Sequence, residues 1–339
     1  IALLEREINH NIQKRQKELE LTIALTNYCN FSCVYCYQNK NEKLMTTEVA
    51  NMIIEKIDRI LNDNIFEGIN IHYFGGEPLL NIPVLVYLDE NIKKITDKIG
   101  IVYKAFLTTN GSMLSKELLQ KVKFSSIQLT FDGLEKTHDR LRVSDHFHFK
   151  EEIELIENIM NFSQAKVLLR TNICKENKDE IIALHKYIFE KFGNERIEIN
   201  PNRTIKYHQD DSFEMLSVQE YAEVAYQIKL LWSEQKGKFE LPVPRSTPCK
   251  FPYGNAYAIS PEGYCTFCSG SMDQEKKYFF DVDIENKKMF SVRKECKKCN
   301  ILPLCLGGCI IQYNLRAGAC TYEKYELKNI LISYIKHIS

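Results

Sequence analysis

The chain has 339 residues, 44% of them apolar, which is enough for one large domain with a sizeable core and a smaller second unit. Its 45 basic and 45 acidic residues cancel, and no basic block indicates nucleic acid as a partner. No apolar run approaches the length of a membrane-spanning helix, so no membrane partner is expected. Twelve cysteines without a visible secretory signal favour metal over disulfides and predict a cytoplasmic, oxygen-sensitive protein.

Residues 1–20 place apolar side chains among charges at roughly helical spacing and are predicted to form a cap or a linker. Residue 1 is Ile rather than Met, so the sequence leaves a further upstream segment open. Beyond residue 20, short β-rich runs alternate with longer helical patterns. Strands are predicted at 21–26, 69–74, 101–108, 125–132, 166–173 and 196–200, and helices at 46–63, 81–98, 115–122, 150–161, 178–192 and 217–236.

Strands separated by helices of this length form parallel βαβ units. The six predicted strands therefore indicate an α/β fold in which residues 21–236 form a partial (β/α)6 TIM-like barrel. In sheets of this kind, the functional residues gather at the carboxyl ends of the strands. The unusual residues of this chain follow the predicted strands, as that rule requires.

Three cysteines, Cys29, Cys33 and Cys36, lie within eight residues just after the first predicted strand. Soft sulfur ligands at such short spacing select iron-sulfur clusters or zinc. A cluster of four irons held by three cysteines leaves one iron open to a ligand that is not protein, whereas structural zinc sites are usually closed by four protein ligands. A zinc loop with a distant fourth ligand is the alternative that the spacing leaves open.

The pattern Cys-x3-Cys-x2-Cys, with Tyr35 before the third cysteine, resembles the signature of the radical S-adenosylmethionine (SAM) superfamily. The resemblance implies a 4Fe-4S cluster whose open iron chelates the amino and carboxylate groups of SAM. It also implies reductive cleavage of SAM to a 5'-deoxyadenosyl radical that abstracts hydrogen. The cofactor would supply the hard step, while the protein positions SAM and excludes water.

Gly75, Gly76 and Glu77 follow the second predicted strand directly. Two glycines let the backbone approach a ligand closely, and a carboxylate beside them can accept hydrogen bonds from an ammonium group. This stretch resembles the superfamily motif that holds the methionyl amino group of SAM. The third strand ends at Asn110, in a turn signal that offers an amide to the site, with a plain capped turn as the alternative.

The fourth strand leads into Thr130, Asp132 and, ten residues further along, Arg142. These residues resemble the Ser-Leu-Asp-Gly and His-Asp-x-x-Arg pattern of family members, whose serine and arginine reach the SAM carboxylate and the nearby ribose. Carried over by position, Thr130 replaces the serine and Arg142 is the arginine, whose planar fork can bind two oxygens. A solvated loop is the alternative for this arginine.

The fifth predicted strand ends at Asn172 and Ile173, which are expected to be the nearest contacts on the adenine side of SAM. Cys174 follows at the same rim. A single buried cysteine usually acts as a small apolar residue. We nevertheless keep Cys174 as a catalytic candidate that faces the cavity.

The C-terminal part of the chain holds eight of the twelve cysteines, after a linker-like stretch at 237–248. They are Cys249, Cys265, Cys268, Cys296, Cys299, Cys305, Cys309 and Cys320. With Gly263, and leaving Cys265 aside, their spacing resembles the seven-cysteine pattern of the SPASM extension found behind many radical SAM barrels. The sequence therefore predicts a SPASM domain at 237–325 and a C-terminal helix at 326–339 that packs back on the barrel.

Residues 249–320 carry few long apolar runs, so metal ligation would supply part of their folding energy. The resemblance implies two auxiliary 4Fe-4S clusters, and hence three clusters in all. The nearer one would be held by Cys249, Cys268 and Cys309, and the outer one by Cys296, Cys299, Cys305 and Cys320. Cys265 could close the nearer cluster; otherwise one iron is open and could bind a substrate thiolate. A pair of structural zinc sites is the alternative.

Radical SAM enzymes with a SPASM extension act mostly on peptides or proteins, and two subclasses compete. One matures ribosomally made precursor peptides by installing a thioether or carbon-carbon crosslink. The other oxidises a sulfatase cysteine or serine to formylglycine and carries an aspartate base right after the cysteine that corresponds to Cys268. Ser269 stands there in this chain, so peptide maturation is favoured. A non-catalytic iron-sulfur electron carrier and a zinc scaffold are the alternatives from other classes.

The same resemblance implies a precursor peptide as the substrate and a flavodoxin or ferredoxin as the reductant. Only about twenty residues precede the first predicted strand, too few for the leader-binding domain of many peptide maturases. Either that domain lies outside this chain, a separate leader-binding protein performs its task, or the leader binds the barrel face itself.

Overall fold

The structure is a computed structural model of the chain. It describes residues 1–15, 17–63, 66–193, 195–206, 212–237, 241–253, 255–266, 268–270, 277–282, 289–309 and 320–338. Within these residues, no helix is both long and apolar enough to cross a membrane.

Six strands form the parallel part of the sheet. They are β1 (Glu18–Ala24), β2 (Gly68–Phe74), β3 (Val102–Thr108), β4 (Phe124–Thr130), β5 (Lys166–Ile173) and β6 (Ile197–Arg203). Each strand pairs in parallel with the next one along the chain. Their carboxyl ends consequently lie at one edge of the sheet, and the predicted α/β partial barrel is confirmed.

Helices connect the strands of the barrel, precede β1 or belong to the C-terminal region. They are α1 (Ala2–Arg15), α2 (Thr47–Asp63), α3 (Ile82–Ile99), α4 (Lys116–Lys121), α5 (Glu135–Leu141), α6 (Phe149–Phe162), α7 (Ile181–Phe192), α8 (Val218–Lys236), α9 (Lys250–Tyr253), α10 (Leu302–Cys305) and α11 (Glu323–Ile338). Helix α2 shows why they pack, because Ile53, Ile57 and Ile60 recur on one face and are buried against the sheet.

The side chains of each strand alternate between the helix-covered face and the concave face. In β5, Leu169, Thr171 and Ile173 are fully buried, whereas Arg170 and Asn172 are half-buried on the opposite side. The concave face of the sheet is therefore where polar groups can gather.

Three further strands from the cysteine-rich region extend this sheet. They are β7 (Ala256–Ile259), β8 (Tyr264–Thr266) and β9 (Lys277–Tyr278). Strand β7 pairs in parallel with β1, and β8 and β9 follow in antiparallel pairs, which gives the order β6-β5-β4-β3-β2-β1-β7-β8-β9. The barrel and the C-terminal region thus share one sheet, although the sequence predicts them as separate units.

Helix α1 packs against the C-terminal region. Its buried Ile8 and Ile12 form an apolar cluster with Phe290, Val292 and two leucines of the α10 segment. The side chain of Asn9 exchanges two hydrogen bonds with the backbone of Phe290, at 2.9 and 3.1 Å. Of the two roles predicted for the N-terminal segment, these contacts favour a cap. At the other end of the chain, α11 lies against α8, where Lys229 Nζ and Glu326 Oε1 are 2.6 Å apart.

Candidate active site

A cavity of about 360 Å³ lies at the carboxyl ends of the parallel strands. Cys29, Cys33 and Cys36 line it together. Seven of the residues predicted to contact SAM line the same cavity, namely Tyr35, Gly75, Gly76, Asn110, Thr130, Arg142 and Asn172. Three others, Glu77, Asp132 and Ile173, do not. The fold thus brings most of the predicted site together from segments that are distant in sequence.

The three-cysteine loop lies between β1 and α2, and its first sulfur has polar neighbours. The Cys29 sulfur accepts a hydrogen bond from the backbone N–H of Phe31 at 3.4 Å, and Asn110 Nδ2 lies 3.9 Å from the same sulfur. Burial raises the pKa of Cys33 to about 11, and only the nearby Arg142 charge opposes this. A bound metal cluster would supply the positive charge that stabilises the thiolates.

A 4Fe-4S cluster fits this loop. Its three cysteines line one shared cavity, and a cubane needs such an arrangement because it distributes its thiolate ligands over different irons.

The two glycines after β2 are required by close backbone packing. A Cβ at Gly75, where φ is +144°, would lie 2.4 Å from the carbonyl oxygen of Thr26, and one at Gly76 would lie 2.1 Å from that of Tyr28. Gly75 also accepts a hydrogen bond from Gln38 Nε2 at 2.9 Å. The glycine turn therefore packs directly on the chain that leads into the three-cysteine loop.

The carboxylate of Glu77 is fully buried behind this turn. It accepts hydrogen bonds from the backbone N–H of Leu79 at 3.0 Å, from Thr109 Oγ1 at 2.7 Å and from the backbone N–H of Asn110 at 2.6 Å. Burial raises its pKa to about 6, and these hydrogen bonds oppose the shift. In the structure, Glu77 thus ties the end of β2 to the end of β3, and its direct contact with SAM stays a prediction.

Asp132 connects the three-cysteine loop with the ends of β4 and β5. It is buried, and it accepts hydrogen bonds from the hydroxyl of Tyr35 and, at 2.6 Å, from the backbone N–H of Asn172. Arg142 Nη1 lies 3.4 Å from the same Tyr35 hydroxyl, and its guanidinium lies over the ring of Phe31 at 5.4 Å. Asp132 therefore positions cavity-lining residues without lining the cavity itself.

Two sequence predictions are corrected at the end of β5. Ile173 is fully buried in the main core, because it alternates with Asn172, which lines the cavity. Cys174 does not line the cavity but packs with Leu141 and Phe213 in a small apolar cluster. Burial raises its pKa to about 12. A catalytic role for Cys174 therefore receives no support from the structure.

The four cysteines assigned to the outer auxiliary cluster, Cys296, Cys299, Cys305 and Cys320, all line a second cavity of about 460 Å³. Arg293, Lys298 and Lys324 line it as well, against one carboxylate, Glu295, so thiolates there would face a net positive charge. The Cys305 sulfur accepts a hydrogen bond from the backbone N–H of Gly307 at 3.4 Å. This donor set fits a cluster.

The cysteines assigned to the nearer auxiliary cluster are, as a group, more exposed to solvent than those of the outer one. Cys249 and Cys309 are exposed and Cys268 is half-buried, whereas Cys265 is only 6% exposed and belongs to the main apolar core. The burial of Cys265 on the core side of β8 argues against its predicted role as a fourth ligand. Ser269, next to Cys268, lines the cavity at the three-cysteine loop and so connects the two sites.

Sequence reasoning missed the polar residues on the concave face of the sheet. Gln128, Arg170, Asn202 and Arg203 all line the cavity. The available signal was the alternation in β5, where Arg170 and Asn172 interrupt an otherwise apolar run at a spacing of two.

The fold and this cavity define an α/β barrel whose site gathers three cysteines that could hold an iron-sulfur cluster. The family model for the radical SAM superfamily matches residues 23–188, which include the three-cysteine loop and strands β2 to β5. The chain therefore carries a radical SAM domain over these residues, followed by a cysteine-rich C-terminal region whose cysteine spacing matches the SPASM pattern. Such a domain implies a 4Fe-4S cluster and SAM as cofactors.

Several curated proteins are similar in sequence. The radical SAM cyclopropyl synthase TigE of Paramaledivibacter caminithermalis is 24% identical, over 96% of this chain and 76% of TigE. The uncharacterized protein MJ0907 of Methanocaldococcus jannaschii is 34% identical, but over 34% of this chain and 39% of that protein. The GTP 3',8-cyclase of Clostridium perfringens is 32% identical, and the chain spans half of its length.

Solved structures share the fold along almost the whole chain. The structure of anSMEcpe with bound AdoMet has a TM-score of 0.71 at 18% identity, covering 95% of this chain and 100% of that one. Streptococcus suis SuiB bound to its precursor peptide SuiA has a TM-score of 0.63 at 17% identity, covering 94% and 77%. The chain is thus a radical SAM enzyme with structural similarity to both a peptide maturase and a sulfatase maturase.

Proposed function

We propose that this protein is a radical SAM peptide maturase that abstracts hydrogen from a ribosomally made precursor peptide and installs a thioether or carbon-carbon crosslink. The observation that carries this proposal is the chemistry of the cavity beside the auxiliary site. Ser269 lines the cavity at the position where sulfatase maturases carry their aspartate base, and none of the described lining residues is Asp or Glu. Formylglycine formation needs such a base on the substrate side chain, and a hydroxyl cannot replace it.

The cluster and SAM would supply the radical chemistry, and the residues of the chain would hold them in place. Cys29, Cys33 and Cys36 would ligate the cluster, while Thr130 and Arg142 would bind the SAM carboxylate. Asn172, whose backbone N–H is fixed by Asp132, would contact the adenosine side. Crosslinking removes a second electron from the substrate, and the cysteines around the outer cavity would hold the cluster that accepts it.

Two comparisons support a peptide as the substrate. SuiB was solved with the precursor peptide SuiA, and anSMEcpe with the Cp18Cys peptide. TigE is named a radical SAM cyclopropyl synthase, and closing a ring between two existing carbons removes two hydrogens, as crosslinking does.

The test is mass spectrometry of a short peptide encoded beside this protein, coexpressed with it under anaerobic conditions. Loss of two hydrogens per crosslink, absent with a Cys33→Ala variant, is the expected result, and tandem fragmentation would locate the new bond. An unchanged mass would contradict the proposal. Loss of hydrogen sulfide with gain of oxygen at the cysteine of a sulfatase-derived peptide would instead establish the formylglycine-generating alternative.

A further inference from the structure

The cavity is strongly cationic. Its lining includes four cationic side chains and, among the described residues, no carboxylate. The cations are Lys40, Arg142, Arg170 and Arg203. In three of them a terminal nitrogen donates to the protein, because Lys40 and Arg203 donate to main-chain carbonyls and Arg142 Nη1 donates to the Tyr35 hydroxyl, although the buried Nε of Arg142 has no partner among the described residues. Arg170 differs from the other three.

Arg170 lies in the middle of β5 and is oriented by a single side-chain contact. Its Nε donates to Asn172 Oδ1 at 2.8 Å, which fixes the plane of the guanidinium. In the part of the chain that the structure describes, its two terminal nitrogens have no hydrogen-bond or ion-pair partner. Paired terminal N–H groups form the fork that binds both oxygens of a carboxylate.

Among the described residues, the nearby carboxylate of Asp132 makes no hydrogen bond or ion pair with this fork, because its two oxygens accept from the Tyr35 hydroxyl and the Asn172 backbone. Burial lowers the pKa of Arg170, and the charge of Asp132 opposes that shift through space. An anion bound at the fork would offset the lost hydration directly. The site is therefore prepared for an anion that enters with a ligand.

SAM brings one carboxylate, and the superfamily pattern assigns it to Thr130 and Arg142. We propose that Arg170 forms a separate subsite that binds a carboxylate of the peptide substrate, from an Asp or Glu side chain or from the peptide C-terminus. The amides of Gln128 and Asn202 line the same cavity and can hydrogen-bond to the peptide backbone beside it. This subsite would fix which residue faces the three-cysteine loop. The inference rests on the proposed function.

The test measures binding to the cluster-loaded, SAM-saturated protein by saturation-transfer NMR under anaerobic conditions. The probes are N-acetyl-aspartate N-methylamide, its glutamate analogue, the isosteric N-acetyl-asparagine N-methylamide, and N-acetyl-alanine with a free carboxylate. The variants are Arg170→Gln, Arg170→Lys and, as a matched control, Arg59→Gln on the exposed surface of α2. Iron content and labelled-SAM affinity are measured for each variant.

We expect the wild type to bind at least one carboxylate probe about ten- to a hundred-fold more tightly than the asparagine probe. Arg170→Gln should abolish this preference, Arg170→Lys should retain part of it, and Arg59→Gln should leave it unchanged. Preference for the aspartate or glutamate probe identifies a side-chain carboxylate, and preference for the alanine probe identifies a peptide C-terminus. If Arg170→Gln does not fold, the affinities of the wild type for the aspartate and asparagine probes still test whether the cavity prefers a carboxylate.

Equal binding of charged and neutral probes by the wild type would overturn the inference. A loss of SAM affinity of about ten-fold or more in Arg170→Gln would also overturn it, because Arg170 would then hold the SAM carboxylate. The proposed function has its own readout in these samples, namely release of 5'-deoxyadenosine after reduction. Release without carboxylate preference would refute the subsite alone, whereas no release would refute the radical chemistry.

Discussion

Replacing Glu77 by Gln tests how the barrel holds the turn that precedes Asn110. The carboxylate accepts three hydrogen bonds, two on Oε1 and one on Oε2. Glutamine has nearly the same shape but offers one acceptor oxygen and one N–H2 group. If its oxygen keeps the partners Leu79 and Thr109, its N–H2 group must face the backbone N–H of Asn110, which lies 2.6 Å from Oε2 in the wild type.

The cost follows from these contacts. An unsatisfied buried donor costs about 1 to 3 kcal/mol, and the two remaining hydrogen bonds weaken because the acceptor is no longer charged, so the total is about 3 kcal/mol. At about 2 cal/mol/K per residue, a chain of this length has an unfolding entropy of about 0.7 kcal/mol/K, and the melting temperature should fall by about 4 °C. SAM affinity should fall too, because Asn110 lines the cavity.

The assay is anaerobic thermal unfolding followed by circular dichroism, with labelled-SAM binding as a second readout. Glu67→Gln is the matched control, since Glu67 is exposed and its ion pair with Lys17 lies at the surface. That variant should melt within about 1 °C of the wild type. A Glu77→Gln protein that also melts within about 1 °C and binds SAM normally would refute the assigned positioning role of Glu77.

Three further predictions concern regions outside the cavity. Burial lowers the pKa of His185 to about 3, and its Nδ1 accepts a hydrogen bond from Trp232 Nε1. The neutral ring therefore stabilises the folded state. This stabilisation is complete above the pKa of His185 in the unfolded chain, about 6.5, and is lost as pH falls below it. From about pH 7.5 to about pH 5.5, the wild type should lose about 1.4 kcal/mol more unfolding free energy in urea than His185→Gln, and parallel pH profiles would contradict this. Cys265→Ala should keep full iron content by colorimetric assay, and loss of iron would make Cys265 a ligand. Ile8→Ala should lower the iron at the outer auxiliary site, measured by Mössbauer spectroscopy, because it weakens the α1 contact by about 2 to 5 kcal/mol, whereas exposed Leu3→Ala should have no effect.

The sequence predicted the barrel strands well because local signals specify them. Each of the six observed strands begins within three residues of its predicted start, and alternation or continuous apolar runs mark them all. The glycine turn was also readable, because few residues other than glycine fit where φ is +144°. The three-cysteine loop was predicted from the spacing of its cysteines alone.

The pairing of strands that are distant in sequence could not be predicted from local signals. Strand β7 has four residues, and it is a strand because it pairs with β1, more than 230 residues earlier in the chain. For the same reason, the sequence does not predict the contact between α1 and Phe290, whose partners are 281 residues apart. Burial of Cys265 depends on this sheet extension, so the sequence left its ligand role open.

The most direct test of the central claim is release of 5'-deoxyadenosine from SAM by the anaerobically reconstituted, dithionite-reduced protein. Wild type, Cys33→Ala and Cys174→Ala are compared, since Cys33 lines the cavity and Cys174 is buried away from it. The account predicts release by the wild type and by Cys174→Ala, and none by Cys33→Ala, which should retain the iron of the auxiliary sites. Release by Cys33→Ala, or no release by the wild type, would contradict the assignment of the three-cysteine loop as the SAM-cleaving site.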